Sequence, residues 1–436
     1  MNLPPETSPC INRFVHDAQN ALFFCFVILI SLVLIKSYCL KNNLNHSNSA
    51  IINLKNFVFE KALIYLMFFY HLFFLLLHIF LNDCKETFDP FPITPNDSNS
   101  IYINAGYYFD SINIELGSNI LSLILHPFVS YMKLSFLNIS LFFSTLGFFG
   151  ILCFFSVTKK KIYNKNLNLY YFLILLVLLP NLHYWTSSLS KDVVVFYFLS
   201  LYLFYVFTDK KNQIIKTILI LSFIIVCLVR PHIGLFFIFG HGLAYIILIN
   251  NFRVLSINTI VMTLILIGIT FYISLYLFGR MEYTGILDIF KNLDLYFEKR
   301  FLATETRETI LSDKGYLFRQ MAYFFVPLEL QISNFSFNQF LAFINNIVLL
   351  IIFCLLIFHI IYNYSYSIDA FKMIFKNKAK NTQKLGLLFF FLISWFALSN
   401  TTGNYGIIMR QKETIMFIMY FYLIYINSNI LYLKDK

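Results

Sequence analysis

The sequence predicts an all-α, polytopic transmembrane helical bundle of about eleven spans, counted at the roughly 20 apolar residues that one helix needs to cross a bilayer core. Three observations carry that prediction. First, 59% of the 436 residues are hydrophobic and only 13% are charged, too few to cover a soluble domain of this length. Second, apolar runs of span length recur between short polar loops. Third, the acidic residues fall almost entirely on one side of those runs.

The predicted spans are 21–40, 62–81, 136–157, 167–183, 193–208, 217–229, 234–250, 257–278, 338–362, 385–401 and 414–433. The fourth to seventh are short and polar at their ends, as spans are where protein or a watery cavity surrounds them. The first apolar run follows residues without a basic flank, so it is expected to be a retained span rather than a cleaved signal. The whole chain, 1–436, reads as one integral membrane domain. Loops 41–61, 158–166, 209–216, 251–256, 363–384 and 434–436, with Lys36, hold 19 of the 33 basic residues but only Glu60, Asp209, Asp369 and Asp435. The remainder carries 14 basic and 18 acidic residues. The positive-inside rule makes the first set cytoplasmic, which puts the N-terminus outside and the C-terminus inside. Two outer loops are long, 82–135 and 279–337, and the second has amphipathic stretches such as 287–302.

The net charge of +11 is accounted for by loops facing an anionic lipid surface, so no nucleic-acid partner is expected. The abundant Phe and Tyr reflect composition and carry no functional reading. The seven cysteines form no CxxC pair and no Cys/His cluster with metal spacing, so neither a metal nor another cofactor is expected. No internal repeat is apparent, which counts against a transporter built from inverted halves.

Four outer segments carry the candidate chemistry. In 180–192, Ser190 suits the N-cap of the next helix and Asp192 its first turn. Capping explains those two, but explains Trp185 and Lys191 less well; a helix start with Lys191 also favours an anion such as a diphosphate. In 229–234, Arg230 closes one helix and Pro231 opens the next. Dipole and capping effects account for them, yet Arg230 and His232 sit at the membrane boundary, where an ionisable residue is a functional candidate. Arg230 can hold a phosphate bidentately and His232 can move a proton. In 400–413, Arg410 and Lys412 enter a helix at its start, against the dipole; they either snorkel or meet an anionic ligand. In 96–109, Asp97 is either an ordinary exposed acid or a general base, with Tyr102 beside it.

These residues together resemble a known group. Asp97-Ser98 with Tyr102, Pro180-Asn181 with Trp185 and Lys191-Asp192, Arg230-Pro231-His232 with Gly234, and Gly403-Asn404-Tyr405-Gly406 with Arg410-Gln411-Lys412 look like bacterial inner-membrane polysaccharide polymerases of the O-antigen polymerase (Wzy) type, or membrane glycosyltransferases of the GT-C kind. The resemblance runs from about 62 to 433. It implies a multi-pass protein of the plasma membrane that acts on an undecaprenyl-diphosphate-linked oligosaccharide at the periplasmic face, in company with membrane lipids and other polysaccharide-assembly proteins. It assigns proton transfer and charge stabilisation to His232, Asp97 and Arg410, and substrate contacts to Lys191, Asp192, Arg230, Trp185, Tyr102 and Lys412. Asp97 has no acidic neighbour, which favours the polymerase or ligase style over a metal-dependent one. The other readings are a lipid-linked sugar flippase, an acyltransferase working through His183 or His232, and a structural assembly subunit.

Overall fold

The computed structural model describes residues 18–43, 50–79, 97–106, 117–162, 166–208, 213–249, 261, 316–325, 337–375, 381–401 and 405–436. Among them the chain is helical with no strand. The helices are α1 (Ala18–Asn43), α2 (Ala50–His78), α3 (Asp97–Gly106), α4 (Ser118–His126, continued by a π turn at Pro127–Tyr131), α5 (Phe136–Lys161), α6 (Leu167–Val177), α7 (Pro180–Thr186) and α8 (Lys191–Phe207). Then follow α9 (Gln213–Val229), α10 (Pro231–Ile249), α11 (Tyr316–Phe325), α12 (Phe337–Tyr362), α13 (Tyr364–Ile374), α14 (Asn381–Thr401) and α15 (Tyr405–Lys434). Among the described residues seven helices are long and apolar enough to cross a membrane, or eight if α6 and α7 form one broken span. The expected spans 193–208 and 217–229 are the 17-residue helices α8 and α9. The expected span 257–278, apart from Val261, and the amphipathic stretch 287–302 lie outside the described residues.

The helices carry large apolar side chains on their outward faces. Leu22, Phe26, Leu29 and Val33 make an exposed stripe along α1 at helical spacing. Such a surface suits lipid and would aggregate in water. The chain groups into two compact units, residues 1–152 with 182–197, and residues 153–181 with 198–436.

In the first unit, neutral amides and backbone carbonyls tie the helices together. Asn138 Nδ2 donates to the Asn20 side-chain oxygen at 2.7 Å and to its carbonyl at 3.0 Å, while Asn20 Oδ1 also accepts from Ser135 N at 2.8 Å. The helices α3 and α4 join through Ser122 Oγ, which donates to Ile101 O at 3.0 Å, and His126 Nδ1, which donates to Ala105 O at 2.9 Å. Residues 97–106 and 118–131, within the expected long loop 82–135, thus fold as helix. Close approach matters most at Gly147, where a Cβ would stand 1.9 Å from the Thr186 carbonyl oxygen.

In the second unit the helix directions follow from side-chain bonds. Tyr420 donates to Leu349 O at 2.8 Å, and Asn427 to Leu356 O at 3.3 Å, so α12 and α15 run parallel. Tyr422 donates to Lys384 O at 2.6 Å, which sets α14 antiparallel to α15. The pair α10 and α14 is also antiparallel: Phe237 packs on Phe390 at 5.7 Å, and a Cβ on Gly386 would meet the His241 ring at 2.6 Å. Small residues let these two backbones approach closely.

One end of this unit is rich in lysine and aromatic rings. Lys161 Nζ lies 6.0 Å from the Phe207 ring and 5.5 Å from the Tyr425 ring, and Lys384 Nζ lies 5.6 Å from Phe207. The ends of α5 and α8, the start of α14 and the C-terminal part of α15 thus share a side. Lys161 and Lys384, from the expected basic loops 158–166 and 363–384, are thus brought together here. The starts of α10, α12 and α15 and the end of α14 lie at the other end.

Gly147→Ala is expected to lower the unfolding temperature of the purified protein, since overpacking typically costs about 1–3 kcal/mol. Gly106→Ala serves as its control, because its nearest neighbour would be Val129 Cγ1 at an ordinary 3.8 Å. Equal melting of the two variants would contradict the close crossing.

Candidate functional site

Two ionisable side chains, Lys412 and Glu413, are buried at the head of α15. Neighbouring residues on a helix do not face each other, and these two have separate partners. The Lys412 ammonium is fully buried and donates to Asn346 Oδ1 and, at 3.2 Å, to the Phe324 carbonyl. Glu413 Oε1 accepts from Asn181 Nδ2 at 2.8 Å and from Asn345 Nδ2 at 2.9 Å. Four elements therefore converge: the α6–α7 junction, α11, α12 and α15.

The helix α11 is shaped by this meeting. Phe324 lies in its last turn, where carbonyls lack partners within the helix. A cation there also suits the helix dipole, so Lys412 caps α11. Trp395 Nε1 donates to Gln320 O at 3.0 Å and holds the same helix from α14. Its face is the reverse of a soluble helix: Phe318 and Met321 are exposed, whereas Arg319, Tyr323 and Phe324 are buried.

The other residues singled out in the sequence divide between the units. In the second unit, Arg230 closes α9 and accepts the start of α10 on its carbonyl, which receives Ile233 N at 3.0 Å and Gly234 N at 3.2 Å. The half-buried His232 sets its ring edge-on to Phe236 at 6.1 Å. The half-buried Arg410 precedes Lys412 on α15. The antiparallel pairing of α10 with α14 brings Arg230 and His232 to the end of this unit that holds Arg410 and Lys412. In the first unit, Lys191 Nζ donates to Ser118 Oγ at 2.8 Å, and Ser190 Oγ caps α8 by accepting from Val193 N at 3.3 Å. Asp192 is buried in the first turn of that helix. Trp185 packs edge-on to Tyr184 at 5.0 Å and His78 at 6.0 Å. The Tyr102 hydroxyl donates to Leu134 O at 3.0 Å. Asp97 begins α3, and its side chain lies outside the described residues.

Sequence reasoning quoted Glu413 and Asn181 within motif segments but gave neither a role, and it passed over Asn345 and Asn346. The available signal was two consecutive asparagines inside an apolar span. It also passed over a buried imidazole pair in the first unit. His71 Nε2 lies 3.0 Å from Ser144 O, so it carries a proton and donates. A neutral His71 then accepts at Nδ1, and His183 donates its Nδ1–H across 2.9 Å. Tyr70 and Phe74 flank the His183 ring at 4.8 and 6.2 Å. Among the described residues, no group of three or more His, Cys, Asp or Glu has the arrangement of a metal site.

Lys412→Met removes the cap on α11. Hydrogen bonds to charged groups are worth about 1.5–3 kcal/mol, so amide exchange across residues 316–325 is expected to quicken by roughly tenfold or more while α12 keeps its protection. Unchanged exchange in α11 would mean that Lys412 does not hold it. Comparison of the chain with family models, with curated proteins and with solved structures finds no match.

Proposed function

We propose that this protein transfers glycosyl groups from an undecaprenyl-diphosphate-linked oligosaccharide and so polymerises a surface polysaccharide at the periplasmic face of a bacterial plasma membrane. The observation that carries the reading is the gathering of Arg230, His232 and Arg410 at one end of the second unit, away from the end rich in Lys161 and Lys384. The lysine end suits an anionic cytoplasmic leaflet. The other end is then periplasmic, and it combines fixed cations with a group able to move a proton.

The chemistry follows from those side chains. In glycosyl transfer the diphosphate leaves with the electron pair of the broken bond. Preorganised positive charge stabilises it as it departs, and Arg230 and Arg410 supply that charge. His232 or a nearby carboxylate takes the proton of the acceptor hydroxyl. The lipid chain of the donor lies against the apolar outer surface.

A second reading, export or flipping of a lipid-linked sugar, is favoured by one specific observation. Lys412 and Glu413 are charges buried inside a spanning segment, a feature of ion and proton pathways. Against it, both sit at the head of their helix rather than midway along it.

Arg230→Ala, His232→Ala and Arg410→Ala are each expected to collapse the surface polysaccharide ladder to single repeats, with the variant protein still inserted in the membrane. The ladder is read on a gel beside the deletion strain. Normal ladders in all three variants contradict glycosyl transfer through these residues. Lipid-linked substrate stranded on the cytoplasmic face of the deletion strain would replace the polymerase reading with the flippase.

A further inference from the structure

Asn345 holds an acceptor that the described residues leave unused. The residue is fully buried, and its Nδ2 donates to Glu413 Oε1 at 2.9 Å. A carboxylate oxygen accepts and does not donate, so this bond fixes the amide with its own oxygen turned away. Among the described residues no group donates to that Asn345 Oδ1. A buried carbonyl left in that state costs about 1–3 kcal/mol. Asn400, in the last turn of α14, repeats the pattern: its Nδ2 donates to Phe396 O at 2.8 Å, and its buried Oδ1 has no donor among the described residues. Both stand at the end of the second unit that carries Arg230 and Arg410.

Glu413 has a matching asymmetry. Asn181 and Asn345 both bind Oε1, which leaves Oε2 for a further proton donor. The residue keeps 5% of its surface exposed. A carboxylate oxygen and amide oxygens together ask for donors. A diphosphate offers only acceptors and an alkyl chain offers neither, whereas a sugar ring offers adjacent hydroxyl groups.

We infer that Glu413 and Asn345 form the subsite for the acceptor sugar, a neutral polyhydroxyl ligand, and that Glu413 is the base of the transfer. This rests on the glycosyl-transfer reading above. One acceptor hydroxyl donates to Glu413 Oε2 and a neighbouring hydroxyl donates to Asn345 Oδ1. The first hydroxyl oxygen forms the new bond to the anomeric carbon of the donor. The bond from that carbon to the diphosphate oxygen breaks, and the diphosphate keeps the electron pair. The hydroxyl proton passes to Glu413. Asn181 and Asn345 are positioning residues that aim the carboxylate, and Arg230 and Arg410 receive the leaving group.

The test uses the full chain in lipid nanodiscs, with a panel of neutral disaccharides at millimolar concentration as probes. The unfolding temperature of the wild type is expected to rise with at least one disaccharide, and the rise to vanish in Glu413→Gln and Asn345→Leu. The glutamine keeps the shape of Glu413 and an oxygen for both asparagines, so it remains informative if Asn345→Leu fails to fold. No stabilisation by any disaccharide overturns the subsite, as does stabilisation by sodium chloride over choline chloride alone, which marks a cation site. In cells, Glu413→Gln is expected to reduce long chains about a hundredfold or more, the scale of a lost general base. Full-length polymer restored by Glu413→Gln in a deletion strain that otherwise makes single repeats overturns the role of Glu413 and leaves the polymerase reading intact. Unchanged polymer in the deletion strain overturns that reading and the subsite with it.

Discussion

Taking an ammonium and a carboxylate out of water costs several kcal/mol per ion, and the head of α15 removes one of each. Lys412 and Glu413 do not offset that cost by bonding to each other, because adjacent helix residues point apart. They offset it with four neighbours: the amides of Asn181, Asn345 and Asn346, and the Phe324 carbonyl. Each neighbour belongs to an element that must arrive in register for the bond to form. The start of α12, the last turn of α11 and the α6–α7 junction are thereby fixed against α15. Dispersion alone would let an apolar helix slide or rotate with little penalty. A charged group that has only one satisfactory position removes that freedom.

The same logic explains the division of the second unit into two ends. Lysines near helix ends keep their stems on aromatic surface while their charge reaches polar surroundings, as Lys161 does over Phe207 and Tyr425. The opposite end carries the half-buried Arg230 and Arg410 and the fully buried Lys412. A charge held away from water is screened less.

The long apolar runs and the N-cap at Ser190 were legible in the sequence because each is a local or additive property. Period, capping and charge counts need no knowledge of neighbours. The Glu413 arrangement was not legible, because its three members lie far apart in the chain and each alone is an ordinary polar residue. Asn345 and Asn346 could be read as a blemish in a span until Glu413 and Lys412 gave them partners. The break near the end of the span at 167–183 was visible as polar ends, but not its purpose, which is to turn Asn181 towards α15. Lys412 reads in the sequence as a cation that either snorkels or meets an anionic ligand; the structure gives it a helix terminus and an asparagine.

The first unit ties its buried helices together with neutral groups. Its buried ties are Asn20 with Asn138, and His71 with His183. A neutral imidazole pair satisfies itself by choice of tautomer: Ser144 O fixes the proton on His71 Nε2, and His183 must then donate to Nδ1. The chain of protons has one direction and carries no net charge. Adding a proton to His71 would place two donors face to face and break it, so the arrangement selects the uncharged state. The acyltransferase alternative asks His183 to approach a substrate, but its ring is fully buried between Tyr70, Phe74 and His71. The imidazoles therefore serve packing in the first unit.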